Sequence, residues 1–395
     1  MKSSNFHIEV ECFQLNKEGN QLCGDVFLSR KIKNEDRIVI AFSDGLGSGV
    51  KANVLATLTT SMAVNFTTCN VPVEKAAVTI MDTLPVDSKR MISYATFTIA
   101  DIDSDGETKI VEFDNPRYLL IRNGASMSIQ REEIIIKERS EKHRRMFQSV
   151  IRMEKEDRLV MFSDGVTQAG IGTNEMPFGW EDDGVEEFVL KCIAENETIS
   201  AYDLARKVVQ KANANDVYCP KDDISCAVSY FREPRRLMVC SGPPFREDKD
   251  GYLAHLVDSY PGKKIVCGGT TSQIISRELN RPIDVGMMPD KSGLPPASRM
   301  EGIDLITEGI LTIGKVAEIL EELTSSGVTG EGPAVDITKM LLKSDLIDFM
   351  IGTKINNAHQ DPNLPVELEI RRNVIKRIVR VLEEKFLKEV NLQFI

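Results

Sequence analysis

At 395 residues, with 42% hydrophobic and 28% charged residues, the chain has the composition of a soluble globular protein and a length that favours two domains over one core. Its 60 acidic against 49 basic residues give a net charge of -11, which repels phosphate backbones and argues against nucleic acid as a partner. No run approaches the roughly 18 apolar residues that cross a bilayer, and residues 1–10 carry charges where a signal peptide has its apolar centre, so a cytoplasmic protein with no membrane partner is expected.

In chain order, residues 6–15, 22–32 and 37–43 are β-rich runs separated by turn residues and predict strands, the last ending at Asp44-Gly45. Residues 50–66, free of Pro and Gly, predict a helix. Pro72 opens a second one to Leu84, since Pro at a helix start gives up an N–H that has no partner there. Strands resume at 93–101, 109–113, 118–122 and 129–137, with Ser104-Asp105-Gly106 as a turn. Residues 158–163 form another strand ending in Asp-Gly, and amphipathic helices at 185–194 and 201–212 lead to a last strand at 224–231. Strands, helices, strands, helices and a strand predict an antiparallel α+β layered domain over residues 1–233.

The polar, Pro-broken segment 232–236 marks a boundary. Beyond it, apolar runs at 237–240, 264–267 and 303–307 are each soon followed by Gly and a helical stretch, which predicts a smaller parallel α/β domain over 234–395. Residues 365–390 predict a closing helix, with Leu368, Ile370, Val374, Ile375, Ile378, Val379, Leu382 and Phe386 as its core-facing stripe.

The eight cysteines include no Cys-x-x-Cys pair and no His at zinc-finger spacing, and most lie in apolar runs where they read as small buried hydrophobes. The four histidines (His7, His143, His255, His359) have no Gly-x-Ser-x-Gly elbow to serve. Chemistry in this chain therefore falls to carboxylates. Aspartates recur in turns beside apolar strands: Gly24-Asp25, Ser43-Asp44-Gly45, Ser163-Asp164-Gly165 and Asp222-Asp223. One Asp-Gly is an ordinary turn. Two copies of an apolar residue followed by Phe-Ser-Asp-Gly, flanked by Gly-Asp and Asp-Asp, point instead to clustered carboxylates that need cations to neutralise them. Oxygen-only donors select hard ions such as Mg²⁺ or Mn²⁺. Two such ions roughly 3.5 to 4 Å apart can activate a bridging water and hold a phosphoryl group in line for hydrolysis.

These motifs resemble the metal-dependent protein phosphatases of type 2C, in the bacterial form typified by stage II sporulation protein E (SpoIIE). The matching residues are Gly24-Asp25, Ser43-Asp44-Gly45-Leu46-Gly47-Ser48-Gly49 with Ala52, Ser163-Asp164-Gly165-Val166-Thr167, and Asp222-Asp223-Ile224-Ser225. The resemblance spans about residues 1–232. It implies a β-sandwich flanked by helices, with two Mn²⁺ or Mg²⁺ ions between the sheets. It further implies Asp25, Asp44, Asp164 and Asp222 as ligands with Asp44 bridging, the backbone carbonyl of Gly45 as a further ligand, and Asp223 behind them. The implied reaction is hydrolysis of phosphoserine or phosphothreonine on a partner protein, an anti-sigma-factor antagonist being the usual bacterial target. A homodimer is compatible with it. The chain departs from the family pattern at Phe113-Asp114-Asn115-Pro116, where relatives often read Asn-Ala-Gly-His-Pro, and at Gln168, where Glu is common.

In the second domain, Gly268-Gly269-Thr270-Thr271 lies between a strand and a helix and gathers N–H groups and hydroxyls where an anion could bind, although caps and a tight turn account for the same residues. Ser241-Gly242-Pro243-Pro244 follows the preceding strand, so the two loops are expected at one edge of a parallel sheet. A catalytically silent sensor or scaffold that binds a ligand through this domain is the rival expectation. The presence of all four ligand acids argues against it.

Overall fold

Residues 7–44 lay down three strands, β1 (His7–Leu15), β2 (Asp25–Ile32) and β3 (Arg37–Asp44), in a computed structural model that describes residues 7–32, 35, 37–83, 96–137, 143–285, 295–323, 328–354, 366–386 and 388–395. The chain divides into two compact units, Met1–Glu233 and Pro234–Ile395.

The first unit continues with α1 (Val50–Thr68), α2 (Val73–Thr83), β4 (Phe97–Ile102), β5 (Glu107–Phe113), β6 (Leu119–Arg122), β7 (Ala125–Ser126), β8 (Glu132–Lys137), β9 (His143–Arg152) and β10 (Arg158–Phe162). It closes with α3 (Asp164–Thr167), α4 (Glu181–Glu195), α5 (Ala201–Asn215) and β11 (Ile224–Arg232). Two antiparallel sheets form, in the orders β1-β11-β10-β6-β7 and β2-β3-β4-β5-β9-β8. Along β3, Ile38, Ile40 and Phe42 meet Leu120, Leu159, Met161, Ala227 and Phe231 of the other sheet and make the sandwich interior. The alternate residues Val39 and Ala41 carry α1 and α2 through Ala63, Val64, Ala77 and Ile80. On the far face of the other sheet, Val160, Phe162 and Val228 carry α4 and α5 through Val185, Val189, Leu204 and Val208. The result is helix, sheet, sheet, helix, the α+β sandwich expected. Central strands covered on both faces read as unbroken apolar runs, which is why 37–43 and 158–163 are legible in the sequence.

Three elements of this unit lie outside the expected ones, the first being the two-residue β7. β9 mixes charged and apolar residues (HRRMFQSVIR) and is half-covered, so no clean period marks it. α3 is only four residues long and starts at Asp164 itself. The expected strand at 93–101 begins at Phe97, with its first three positions outside the described residues, as are Phe6 and Leu84.

The second unit contains β12 (Arg236–Ser241), α6 (Asp250–Ser259), β13 (Lys263–Cys267), α7 (Gly269–Leu279), β14 (Asp284–Val285), β15 (Ser298–Met300) and β16 (Ile303–Thr307). α8 (Ile310–Glu322), α9 (Pro333–Lys343), β17 (Leu346–Ile351), α10 (Val366–Glu384) and β18 (Glu389–Phe394) follow. Its sheet runs β14-β15-β16-β13-β12-β17-β18, with every pair from β16 to β18 parallel. Strands 3-2-1-4-5 of the parallel set is a doubly wound order. α8, α9 and α10 cover one face through Val316, Ile337 and Ile375, and α6 and α7 the other through Leu253 and Ile275.

The closing helix needs correction. It ends at Glu384, and residues 389–394 form β18, paired in parallel with β17. Val390 and Leu392 pack on the core while the alternating Glu389, Asn391 and Gln393 are exposed, so the segment has strand period, too short to stand out beside a long helical stripe. Within the stripe Val374, Ile375, Ile378 and Leu382 are buried, whereas Pro365 and the side chains of Leu368 and Ile370 lie outside what is described.

Candidate active site

One hairpin supplies the first two acids. β2 and β3 pair antiparallel with Asp25 directly opposite Asp44. The second sheet supplies the others: Asp164 follows the end of β10, and Asp222-Asp223 lead into β11, the neighbour of β10. Glycines allow these ends to close on one another. A Cβ on Gly24 would stand 2.8 Å from Asp223 Oδ2, one on Gly165 would stand 2.1 Å from the Asp223 carbonyl oxygen, and one on Gly45 would stand 2.2 Å from the Ala52 carbonyl oxygen in α1. The Asp-Gly spacing of the motifs therefore reflects close backbone approach and not only turn formation.

Polar ties hold the ends in register. The side chain of Gln14 donates to the Asp25 carbonyl (3.1 Å) and to Ser225 Oγ (3.0 Å). Ser225 N donates to Ser163 Oγ (3.0 Å), and Ser163 N to the Ser225 carbonyl (3.0 Å). Asp223 Oδ1 accepts from Lys17 N (2.9 Å), and the Lys17 ammonium lies 3.8 Å from Asp222. Gln168 donates to Asp164 Oδ2 (2.9 Å), one helical turn away. Behind Asp44, Thr96 N donates to its carbonyl (3.0 Å), Thr96 Oγ1 bonds Asn115, and Asn115 donates to Thr98 Oγ1 (3.0 Å).

The electrostatics follow from crowding. Burial raises the Asp25 carboxyl above its ordinary value, with the Ser225 and Ser163 hydroxyls pulling it back and the Asp223 charge pushing the same way as burial. Asp44 is raised by burial, then by the charges of Asp25 and Asp164, its hydrogen bond to Asp25, and Asp222. Asp222 is raised by burial, against the Asp223 N–H and Lys17. Burial and crowding thus make the Asp25 and Asp44 carboxyls each hold a proton to higher pH than an isolated aspartate. Asp25 is 2% and Asp223 3% exposed, and the Oδ2 atom of each is buried without a hydrogen-bond partner.

Such an array fits a hard divalent cation. It offers orphaned carboxylate oxygens and mutual repulsion that a cation relieves. The neighbouring Cys23 thiol is pushed far up by burial and by the Asp25 and Asp223 charges, so it stays protonated and is no thiolate donor. Among the described residues, no three His, Cys, Asp or Glu side chains are already drawn together as a metal cage.

Of the expected site residues, Asp25, Asp44, Gly45, Asp164, Asp222 and Asp223 are brought to this end of the sandwich. Asp223, expected behind the ligands, is more deeply buried than Asp222 and, like Asp25, carries a buried oxygen without a hydrogen-bond partner. Gly268, Gly269, Thr270 and Thr271 lie in the other unit, where Gly268 (φ 114) turns the chain from β13 into α7. The loops after β12 and β13 leave one edge of the sheet, but Gly242 packs against Gly352 and Gly268 against Gly309. Gln14, Ser163, Ser225, Thr96 and Asn115 were not anticipated as supports. The sequence signals at these positions are the departure at Asn115, the repeated Ser before Asp-Gly and the Ser225 that closes the last motif.

A profile of the stage II sporulation protein E (SpoIIE) family matches residues 34–232, half of the chain. The phosphoserine phosphatase RsbX of Bacillus subtilis (strain 168) is 45% identical over 49 residues, which is 12% of this chain and 24% of that relative. The phosphatase domain of the cell fate determinant SpoIIE from Bacillus subtilis aligns with a TM-score of 0.44 at 16% identity, covering 58% of this chain and 94% of that one. RsbX crystallised in complex with magnesium aligns with a TM-score of 0.40 at 21% identity, covering 57% and 96%. No described helix is long and apolar enough to cross a membrane. With the profile spanning the sandwich from before β3 to the end of β11, the chain belongs to the SpoIIE family of type 2C-like phosphatases.

Proposed function

We propose that this chain is a metal-dependent protein serine/threonine phosphatase, with Asp25, Asp44, Asp164 and Asp222 holding two Mn²⁺ or Mg²⁺ ions, Asp223 and the Gly45 carbonyl beside them, and a phosphoprotein as substrate. The observation that carries it is the pairing of Asp25 with Asp44 across one hairpin, with buried, unpartnered oxygens on Asp25 and Asp223. When bound, the ions supply Lewis acidity and charge neutralisation for hydrolysis of a phosphoester. The chain's own part is positional. Gln168 fixes the Asp164 carboxylate, Gln14 and Ser225 fix the strand end that bears Asp25, and Thr96 with Asn115 backs Asp44. Because the Asp25 and Asp44 carboxyls are raised, a cation held there would compete with protons, and its affinity would rise with pH.

A substrate of the anti-sigma-factor-antagonist kind suits this family, and residues 234–395, with Gly268, Gly269, Thr270 and Thr271 at a carboxyl edge of their sheet, suit a regulatory unit. The test is substitution. Asp44→Ala and Asp164→Ala are expected to cut Mn²⁺-dependent p-nitrophenyl phosphate hydrolysis at least a hundredfold with the circular dichroism spectrum retained. An Asp44→Ala protein of wild-type activity places the chemistry elsewhere.

A further inference from the structure

Large apolar side chains stand in water on the two loops that join Asp164 and Asp222 to the rest of the first unit. Phe178, Val217 and Tyr218 are each about three-quarters exposed, and Ile171 is 40% exposed. They sit on two arms of the first unit. One runs from Asp164 through α3 into a tight turn, where Ile171 N donates to the Gln168 carbonyl (3.0 Å) and returns past Phe178 to Gly179, whose backbone lies against Thr167 and Gln168. The other is the link from α5 to β11, which carries Val217 and Tyr218 and ends at Asp222. Asp216 ties them together, accepting from Gly170 N (2.8 Å) and Lys221 N (3.1 Å), and the Lys221 ammonium donates to the Ile171 carbonyl (2.7 Å). Each arm thus has an acid of the site at one end and exposed apolar residues at the other.

The backbone under two of these residues is strained. Val217 (φ 56) and Tyr218 (φ 60) are consecutive non-glycine residues in the left-handed region, one of them β-branched. Their N–H groups are held by the Ala214 (3.0 Å) and Asn213 (2.8 Å) carbonyls. These two bonds close the end of α5 and fix the turn, while neither side chain is buried in this unit. Rigid presentation of apolar surface at a reaction centre is what a docking site requires.

We infer that Ile171, Phe178, Val217 and Tyr218 form a docking rim that receives apolar side chains flanking the phosphorylated Ser or Thr of a polypeptide substrate, an assignment that rests on the phosphatase activity proposed above. The phosphoryl group must reach the acids, and a chain bearing it then crosses the arms within a few residues on either side. The rim therefore selects substrates by local apolar sequence.

The test uses the full chain, p-nitrophenyl phosphate, and two synthetic phosphoserine peptides, one with leucines flanking the phosphoserine and one with serines there. Val217→Asn with Tyr218→Asn suits the left-handed backbone and so preserves the fold; Phe178→Ser is a second, independent variant. The wild type is expected to prefer the leucine peptide at least tenfold in kcat/KM, carried by KM, and both variants to bring that preference to about one. Fluorescence anisotropy of the labelled leucine peptide should show at least fivefold weaker binding to the variants. Unchanged peptide affinity and preference in the variants overturns the rim while leaving the phosphatase intact. Absence of Mn²⁺-dependent p-nitrophenyl phosphate turnover in the wild type overturns the phosphatase activity and the rim with it. Self-association of the chain that these substitutions abolish would assign the surface to a second copy and overturn the inference.

Discussion

Gly45→Ala is the substitution whose cost can be worked from contacts alone. A Cβ at Gly45 stands 2.2, 2.7 and 2.9 Å from the carbonyl oxygen, carbonyl carbon and Cα of Ala52. Ordinary carbon contacts lie at roughly 3.5 to 4.0 Å, so the first turn of α1 must retreat by about 1 Å. Overpacking of this kind costs about 1–3 kcal/mol. In a unit of this size that lowers the melting temperature by about 2 to 12 °C. The atoms met are backbone, so Ala52→Gly should not restore stability. Gly24→Ala differs, because its Cβ meets Asp223 Oδ2 (2.8 Å) and Ala52 Cβ (3.0 Å), both side-chain atoms, and Ala52→Gly should recover part of that loss. Differential scanning calorimetry of the full chain reads both, following the transition that moves with added Mn²⁺. A Gly45→Ala protein that melts like the wild type and binds Mn²⁺ equally well refutes the close approach of α1 to the Asp44 strand end.

Three further outcomes are expected. Asp25, Asp44 and Asp222 all have carboxyl values raised by folding, so their contribution to stability is complete below the unfolded value of about 3.9 and is lost as pH rises through the folded values. Urea unfolding in EDTA should therefore show stability falling from about pH 4 through neutrality, with Mn²⁺ restoring it; a metal-free protein that gains stability over that range contradicts the crowding. Gln168→Ala frees Asp164 Oδ2 and should weaken Mn²⁺ binding about tenfold by calorimetric titration, whereas undiminished affinity shows that the 2.9 Å bond does not orient the acid. Residues 1–233, expressed alone, should remain a soluble Mn²⁺-dependent phosphatase, and a folded, metal-binding but inactive fragment would give residues 234–395 a catalytic share.

How much was legible in sequence depended on what each residue faces. β3 and β10 are covered on both sides and announce themselves as apolar runs ending in Ser-Asp-Gly. The aspartates stand out because turn residues repeat at strand ends, and the hairpin register sets Asp25 against Asp44. Gln14 and Ser225 could not be read as supports, because their roles arise from pairing β1 with β11, more than 200 residues apart in the chain. β18 is hidden for a similar reason: six residues, four of them exposed, become a strand only by pairing with β17. Local pattern exposes the acids, whereas the shell that fixes them is a product of tertiary contact.

Phosphate release from a phosphoserine peptide by the EDTA-dialysed full chain, titrated with Mn²⁺, tests the metal-dependent phosphatase most directly. No turnover before addition, a saturable rise with added Mn²⁺ and abolition by renewed chelation are expected. Full turnover in excess EDTA, or none at saturating Mn²⁺ with the ion bound, would contradict it.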